Sequence, residues 1–199
     1  YGIVNRGANN KIEITKGHAR LNGNAKFIYS EDITGEIINK AEIKSSGRFG
    51  GADNNNYGIY SKGKVTNTGN IIFETGDGNV GILAKDSVAS ITNSGTIKIG
   101  ESSSKTERNI AIGSDDGKAK NEGAVVADGN YGIGLYARGT GTIENSNSGS
   151  VATNGNETIA AYAADTANIN LKNGSTLSVI GEKNVGYYLD KGQNSTIES

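Results

Sequence analysis

One phrase recurs at nearly even spacing along the chain, and its clearest copy is Thr92-Asn93-Ser94-Gly95-Thr96-Ile97. It returns as Asn67-Thr68-Gly69-Asn70-Ile71, as Asn121-Glu122-Gly123-Ala124-Val125 and as Asn147-Ser148-Gly149-Ser150-Val151. Looser copies open at Asn39 and Asn173. The leading residues Asn39, Asn67, Asn93, Asn121, Asn147 and Asn173 lie 28, 26, 28, 26 and 26 residues apart. A period this even restricts the chain to a stacked repeat, in which each unit buries its apolar face only against its neighbours.

Within a repeat the pattern is that of strands. Asn79–Ala84, Ala89–Ser94 and Gly95–Gly100 are short runs with apolar side chains at alternate places, bounded by Asn, Gly, Ser or Asp. Three short strands in about 26 residues pair most simply with their own counterparts one repeat on. The expected fold is therefore all-β: a right-handed parallel β-helix of seven to eight coils, three short strands to the coil, with residues 1–199 forming one segment. Residues 56–199 fit this pattern regularly and 1–55 less so. In the second coil Lys26 falls where an apolar residue is expected, and a shift that turns Phe27 and Tyr29 inward would repair it.

Stacking the repeats yields columns. Tyr57, Val80, Ile110, Tyr131, Ile159 and Val185, and two residues later Ile59, Ile82, Ile112, Ile133, Ala161 and Tyr187, are expected inside. The tiny column between them (Gly58, Gly81, Ala111, Gly132, Ala160, Gly186) is expected to face outward. The second strand feeds Ile37, Val65, Ile91, Ala119 and Leu171 inward. The third supplies Ile43, Ile71, Ile97, Val125, Val151 and Leu177, then Phe73, Ile99, Ala127 and Val179. The asparagines fall at the corner between second and third strands. Amides stacked one strand spacing apart (about 4.8 Å) both donate and accept, so they form a ladder. Turn-forming Asn without a ladder is the plainer alternative.

The totals exclude several classes of function. A formal net charge of −1, with Lys and Arg offset by Asp and Glu, supplies no basic stripe for nucleic acid and no polybasic membrane patch. There is no Cys, hence no disulfide, no thiolate metal site and no cysteine nucleophile. No apolar run approaches 18 residues, so no membrane insertion by this segment is expected. Methionine is absent and the chain opens in mid-repeat, which reads as a piece of something longer.

Catalytic or metal-binding residues are not expected, and neither is a cofactor. His18 is the only histidine. Glu31-Asp32 and Asp115-Asp116 are adjacent carboxylates, whereas an acid/base pair needs facing carboxyls about 5–9 Å apart. Asp77-Gly78-Asn79 and Asp53-Asn54-Asn55-Asn56 are turn residues before they are calcium ligands. What does suggest binding is an outward column of Tyr60, Leu83, Gly113, Gly134, Tyr162 and Tyr188. Exposed Tyr60, Tyr162 and Tyr188 beside bare backbone would suit a sugar ring or a partner side chain; Tyr is also simply a good strand former. Longer insertions at Ser46–Asn55 and Glu101–Arg108 are the places where recognition loops would be built, or else solvated slack.

The openings Tyr57-Gly58-Ile59, Val80-Gly81-Ile82 and Tyr131-Gly132-Ile133, with the Asn-x-Gly-x-Ile phrases, resemble the passenger region of type Va autotransporters, most of all the large fusobacterial outer-membrane adhesins of the RadD type. The resemblance implies export through the periplasm, a C-terminal outer-membrane β-barrel outside this segment, and display on the cell surface as a monomeric stalk. It implies adhesion to a protein or glycan of a host cell or another bacterium, and it carries over no binding residue. A polysaccharide lyase or glycosidase is the alternative, and a toxin-like or protease passenger with its chemistry in other domains a third.

Overall fold

The computed structural model describes residues 2–21, 23–45, 54–190 and 195–198. Its described residues form a right-handed parallel β-solenoid of about 7 turns, each of about 26 residues, with no helix. Three parallel sheets of eight, seven and seven strands run the length of the axis, every strand hydrogen-bonded to its counterpart one coil away. The first sheet contains Lys26–Ser30, Tyr57–Ser61, Val80–Ala84, Asn109–Asp115, Gly132–Arg138, Ile159–Ala163 and Val185–Leu189.

The core is a stack of like side chains. Ile37, Val65, Ile91, Ala119, Ile143 and Ile169 descend from the second sheet, and Ile43, Ile71, Ile97, Val125 and Val151 from the third. Nearly all are at most 1% exposed. Each such Ile or Val gains about 1.5–3 kcal/mol by burial, and only the neighbouring coils provide it. Leu171 is also inward but occupies the corner position, opposite Asn145.

The first sheet departs from simple alternation. Ile28, Ile59, Ile82, Ile112, Leu135 and Ala161 face the core, all 0% exposed. The residue just before each of them also points inward, and except for Phe27 it is small, contrary to the outward face expected for the small column. Ala111 and Ala160 belong to the core cluster. A Cβ placed on Gly58, Gly81 or Gly134 would lie 2.9, 2.6 or 2.5 Å from Ile71 Cγ2, Ile97 Cγ2 or Val151 Cγ1 respectively. Two consecutive inward residues reverse everything before them. Tyr57, Val80, Ile110, Ile133, Ile159 and Val185 thus lie outside the core cluster, on the outer face. Small residues are needed because the third sheet packs directly beneath.

This reversal also settles the second coil. Lys26 pairs with Tyr57 in the outer column, so no apolar residue is required there. Phe27 packs against the core as expected, whereas Tyr29 faces outward opposite Tyr60. Asn109–Asp115 keeps the expected register with Val80–Ala84, but the next coil, Gly132–Arg138, is shifted by two residues: Ile110 meets Ile133 and Ile112 meets Leu135. Tyr131 precedes the strand with φ 58, a left-handed backbone unusual for an aromatic residue.

The amide ladder exists but changes members. Asn39 Nδ2 donates to Asn67 Oδ1 at 2.8 Å, Asn67 to Asn93 at 2.8 Å, Asn93 to Asn121 at 2.9 Å, and Asn121 to Asn145 at 2.8 Å. Each amide also donates to a carbonyl at the same corner, such as Gly69 O and Gly95 O. These five asparagines are all 0% exposed, whereas Asn147 and Asn173, the other expected members, are exposed. Asn145, not Asn147, pairs with Asn121 because the corner after it is two residues longer. A second series precedes the first sheet, at the Asn that opens each Tyr/Val/Ile phrase. Asn56 Oδ1 accepts from Ala25 N, Asn79 Oδ1 from Asn56 N, and Asn109 Oδ1 from Asn79 N, at 3.1, 2.9 and 2.8 Å.

Candidate binding face of the first sheet

The outer face of the first sheet carries two columns side by side. One is the aliphatic series Val80, Ile110, Ile133, Ile159 and Val185, headed by Tyr57. The other is Tyr29, Tyr60, Leu83, Gly113, Tyr136, Tyr162 and Tyr188. Tyr60, Tyr162 and Tyr188 stand where the sequence places them. Tyr136 takes the place expected for Gly134, which points inward, and Tyr29 extends the strip.

Parallel in-register pairing brings the rings together. Tyr29 and Tyr60 have centroids 5.1 Å apart, Tyr136 and Tyr162 5.3 Å, and Tyr162 and Tyr188 5.0 Å, the last two edge to face. These are the separations at which aromatic quadrupoles attract. The strip is interrupted by Leu83 and Gly113, leaving an upper and a lower group. In the first group Lys26 Nζ sits 4.7, 5.4 and 4.5 Å from the rings of Tyr29, Tyr57 and Tyr60, a cation held by aromatic faces. Burial pushes the phenols of Tyr60, Tyr136 and Tyr162 upward, so they are uncharged at neutral pH.

Beside the second group the insertion at Glu101–Arg108 folds over the sheet. Ser102 is buried, its hydroxyl 2.8 Å from Asp77 Oδ1 and 3.0 Å from Glu107 O. Ser103 N donates to the same carboxylate at 2.6 Å, and Gly78 N donates to Glu107 O at 2.8 Å. Burial opposes the charge on Asp77, but these serine donors outweigh it and hold the carboxyl below its ordinary range. Asp77 thus braces the loop. The far side of the loop reaches two coils on: Lys105 pairs with Glu157 at 2.5 Å, and Arg108 Nη1 donates to Glu157 O at 2.6 Å. Tyr131 lies beneath both cations, 5.8 and 5.7 Å from ring centre to charge.

Loop and strip enclose a cavity of about 380 Å³, open to solvent, between Arg108, Tyr57, Ile110, Ile133, Tyr136 and Tyr162. That volume lies in the range of small-molecule sites. The other expected recognition loop, Ser46–Asn55, lies outside the described residues except for Asn54 and Asn55, and so does Asp53.

The adjacent carboxylates make their contacts within the scaffold. Asp115 is nearly buried and accepts from Arg138 Nη2 at 2.8 Å and from Lys85 Nζ. Its neighbour Asp116 turns away with φ 67 and accepts from Thr140 N at 2.8 Å. Glu31 receives the Tyr29 hydroxyl and pairs with Arg6, while Asp32 accepts from Thr34 N at 3.0 Å. His18 stands in the strand His18–Leu21, and its side chain lies outside the described residues. Among the described residues no three His, Asp or Glu side chains gather as a metal site.

Asp115 yields a pH prediction. Burial raises its pKa, but the Arg138 and Lys85 hydrogen bonds outweigh this and leave it lowered. A carboxyl with a depressed folded-state pKa contributes stability that is present above its unfolded value, about 3.9, and is lost as pH falls through the folded value. Urea midpoints measured from pH 6 downward should fall below about pH 4, and Asp115→Asn should flatten that fall while lowering stability at pH 6.

No family model, curated protein or solved structure matches the chain. The fold and the face just described therefore define it as a parallel β-solenoid with one aromatic, loop-walled side.

Proposed function

We propose that this chain is a non-enzymatic segment of a cell-surface adhesin, a β-helical stalk whose first sheet is a lateral binding surface. The observation that carries the reading is the aligned outer strip: tyrosine rings and aliphatic side chains repeated coil by coil, on a scaffold rigid enough to keep them in line. Each coil adds about 4.8 Å to the rod, so seven coils span roughly 34 Å with the strip along one side. Adjacent carboxylates committed to Arg138, Lys85 and turn amides accord with a surface that binds without cleaving. On this reading the segment is exported through the periplasm and held outside the cell by an outer-membrane barrel elsewhere in the protein. Its partner is a protein or glycan on a host cell or another bacterium.

The purified segment should decorate partner bacteria or host cells in a flow-cytometric binding assay. Tyr162→Ala should reduce the bound signal at least about fivefold, a loss of about 1 kcal/mol, with Tyr60→Ala measured alongside. Binding indifferent to both substitutions would remove the strip as the contact surface. Release of product from polygalacturonate or hyaluronan by the segment would overturn the non-enzymatic reading.

A further inference from the structure

Arg108 is the cation of the cavity lining, and the tyrosine strip does not account for it. The residue is half-buried, and among the described residues its guanidinium gives a single hydrogen bond, to the Glu157 carbonyl, and lies over the Tyr131 ring. Among the described residues no carboxylate forms an ion pair with it; Glu157 spends its own carboxylate on Lys105. A guanidinium carries five N–H donors in a planar fork that matches a carboxylate. Four of them are uncommitted here, at the rim of a cavity whose floor is Ile110 and Ile133 and whose wall is Tyr136 and Tyr162.

An apolar floor, flanking phenol rings and one cation with spare donors select a ligand with an apolar ring face and a negative group at its edge. We infer that this cavity binds a carboxylated pyranose of an acidic glycan, the sugar face against Tyr136 and Tyr162 and the carboxylate on Arg108. The inference rests on the adhesin reading and names its ligand class. Neutral phenols favour a sugar face and do not repel the carboxylate. Two carboxylates oppose it: Glu107, whose exposed side chain borders the same cavity, and Glu157, which feels the charge of Arg108 but is paired with Lys105. Lys105, on the same loop, neutralises Glu157 and leaves the Arg108 charge to the ligand.

The test is titration calorimetry of the segment with a hyaluronan hexasaccharide and with its carboxyl-reduced counterpart. The acidic sugar is expected to bind at least about tenfold more tightly, and that preference should shrink as salt is raised. Arg108→Gln should abolish the preference, Arg108→Lys should retain part of it, and Glu107→Gln should increase it. Tyr162→Ala should weaken both sugars alike. Because Arg108 also ties the loop to Glu157, the urea midpoint of each variant separates lost recognition from lost loop structure. Equal binding of the two sugars, or binding of neither, overturns the inference. Cell binding that persists alongside such a result leaves the adhesin reading standing, whereas absence of cell binding removes that reading whatever the sugars do.

Discussion

Asn93→Ala should lower the stability of the solenoid by about 3 kcal/mol, while Asn147→Ala should change it by less than about 0.5 kcal/mol. Both residues open the same sequence phrase, and the difference lies in where the coil puts them. Asn93 is 0% exposed, receives a hydrogen bond from Asn67, and donates to Asn121 and Gly95 O. Truncation leaves an N–H of Asn67 and the amide oxygen of Asn121 without their partner in a corner sealed from solvent, and takes from Gly95 O one of its two donors, Ala124 N remaining. Each buried polar group left without a partner costs about 1–3 kcal/mol, partly relieved by relaxation of the corner. Asn147 is exposed and stands outside the amide series. Urea unfolding followed by far-UV circular dichroism measures both. A further consequence belongs to repeat architecture: weakening an interior interface allows the coils on either side to unfold separately. The Asn93 variant should therefore show a broader transition as well as an earlier one. Equal, small shifts for the two variants would mean that the amide series contributes nothing.

How much of this was visible in the residues depends on what each signal measures. The three-sheet solenoid was legible because Ile71, Ile97, Val125 and Val151 repeat one environment, and a column of like residues is hard to produce otherwise. Strand faces were less so. Strict alternation put Tyr57 and Val80 inside and Gly58 and Gly81 outside, but the bend at the glycine turns two consecutive residues inward. The smallness of Gly58, Gly81, Ala111 and Ala160 was the available clue: small residues mark close approach of another backbone, and here the third sheet approaches them from within. The other differences share a cause. Matching Asn147-Ser148-Gly149 to Asn93-Ser94-Gly95 aligned turns, whereas hydrogen bonding aligns strands, so Ile143 opposite Ala119 fixes Asn145 in the corner. Matching Tyr131-Gly132-Ile133 to Val80-Gly81-Ile82 likewise hid the two-residue shift that brings Tyr136 into the strip. That Arg108 would stand over the cavity was not legible, because the path of an insertion is set by contacts such as Ser102 to Asp77 that no periodicity encodes.

A steep local penalty should come from the smallest of changes, Gly95→Ala. A Cβ at this corner would lie 2.1 Å from Gly69 O and 2.8 Å from the Thr68 carbonyl carbon, both backbone atoms of the coil below. Neither can move aside cheaply. Gly95 N donates to Asn67 O at 3.2 Å, and Gly95 O receives both Ala124 N and the Asn93 side chain. Opening the corner to admit a methyl group therefore stretches the backbone ladder and the amide series together. Overpacking alone costs about 1–3 kcal/mol, and the added loss of hydrogen bonds should take Gly95→Ala to about 4 kcal/mol. Gly69 and Gly123 face the same contact at 2.2 Å and should behave alike. The column itself supplies the control, since Ala41 already occupies this position and is buried there with its methyl group accommodated. Ala41→Gly should cost no more than about 1 kcal/mol, the usual entropic disadvantage of glycine. Thermal and urea unfolding of the two variants decide the point: if Gly95→Ala proved as mild as Ala41→Gly, the coils would not approach each other as closely at this corner as the stacked asparagines require.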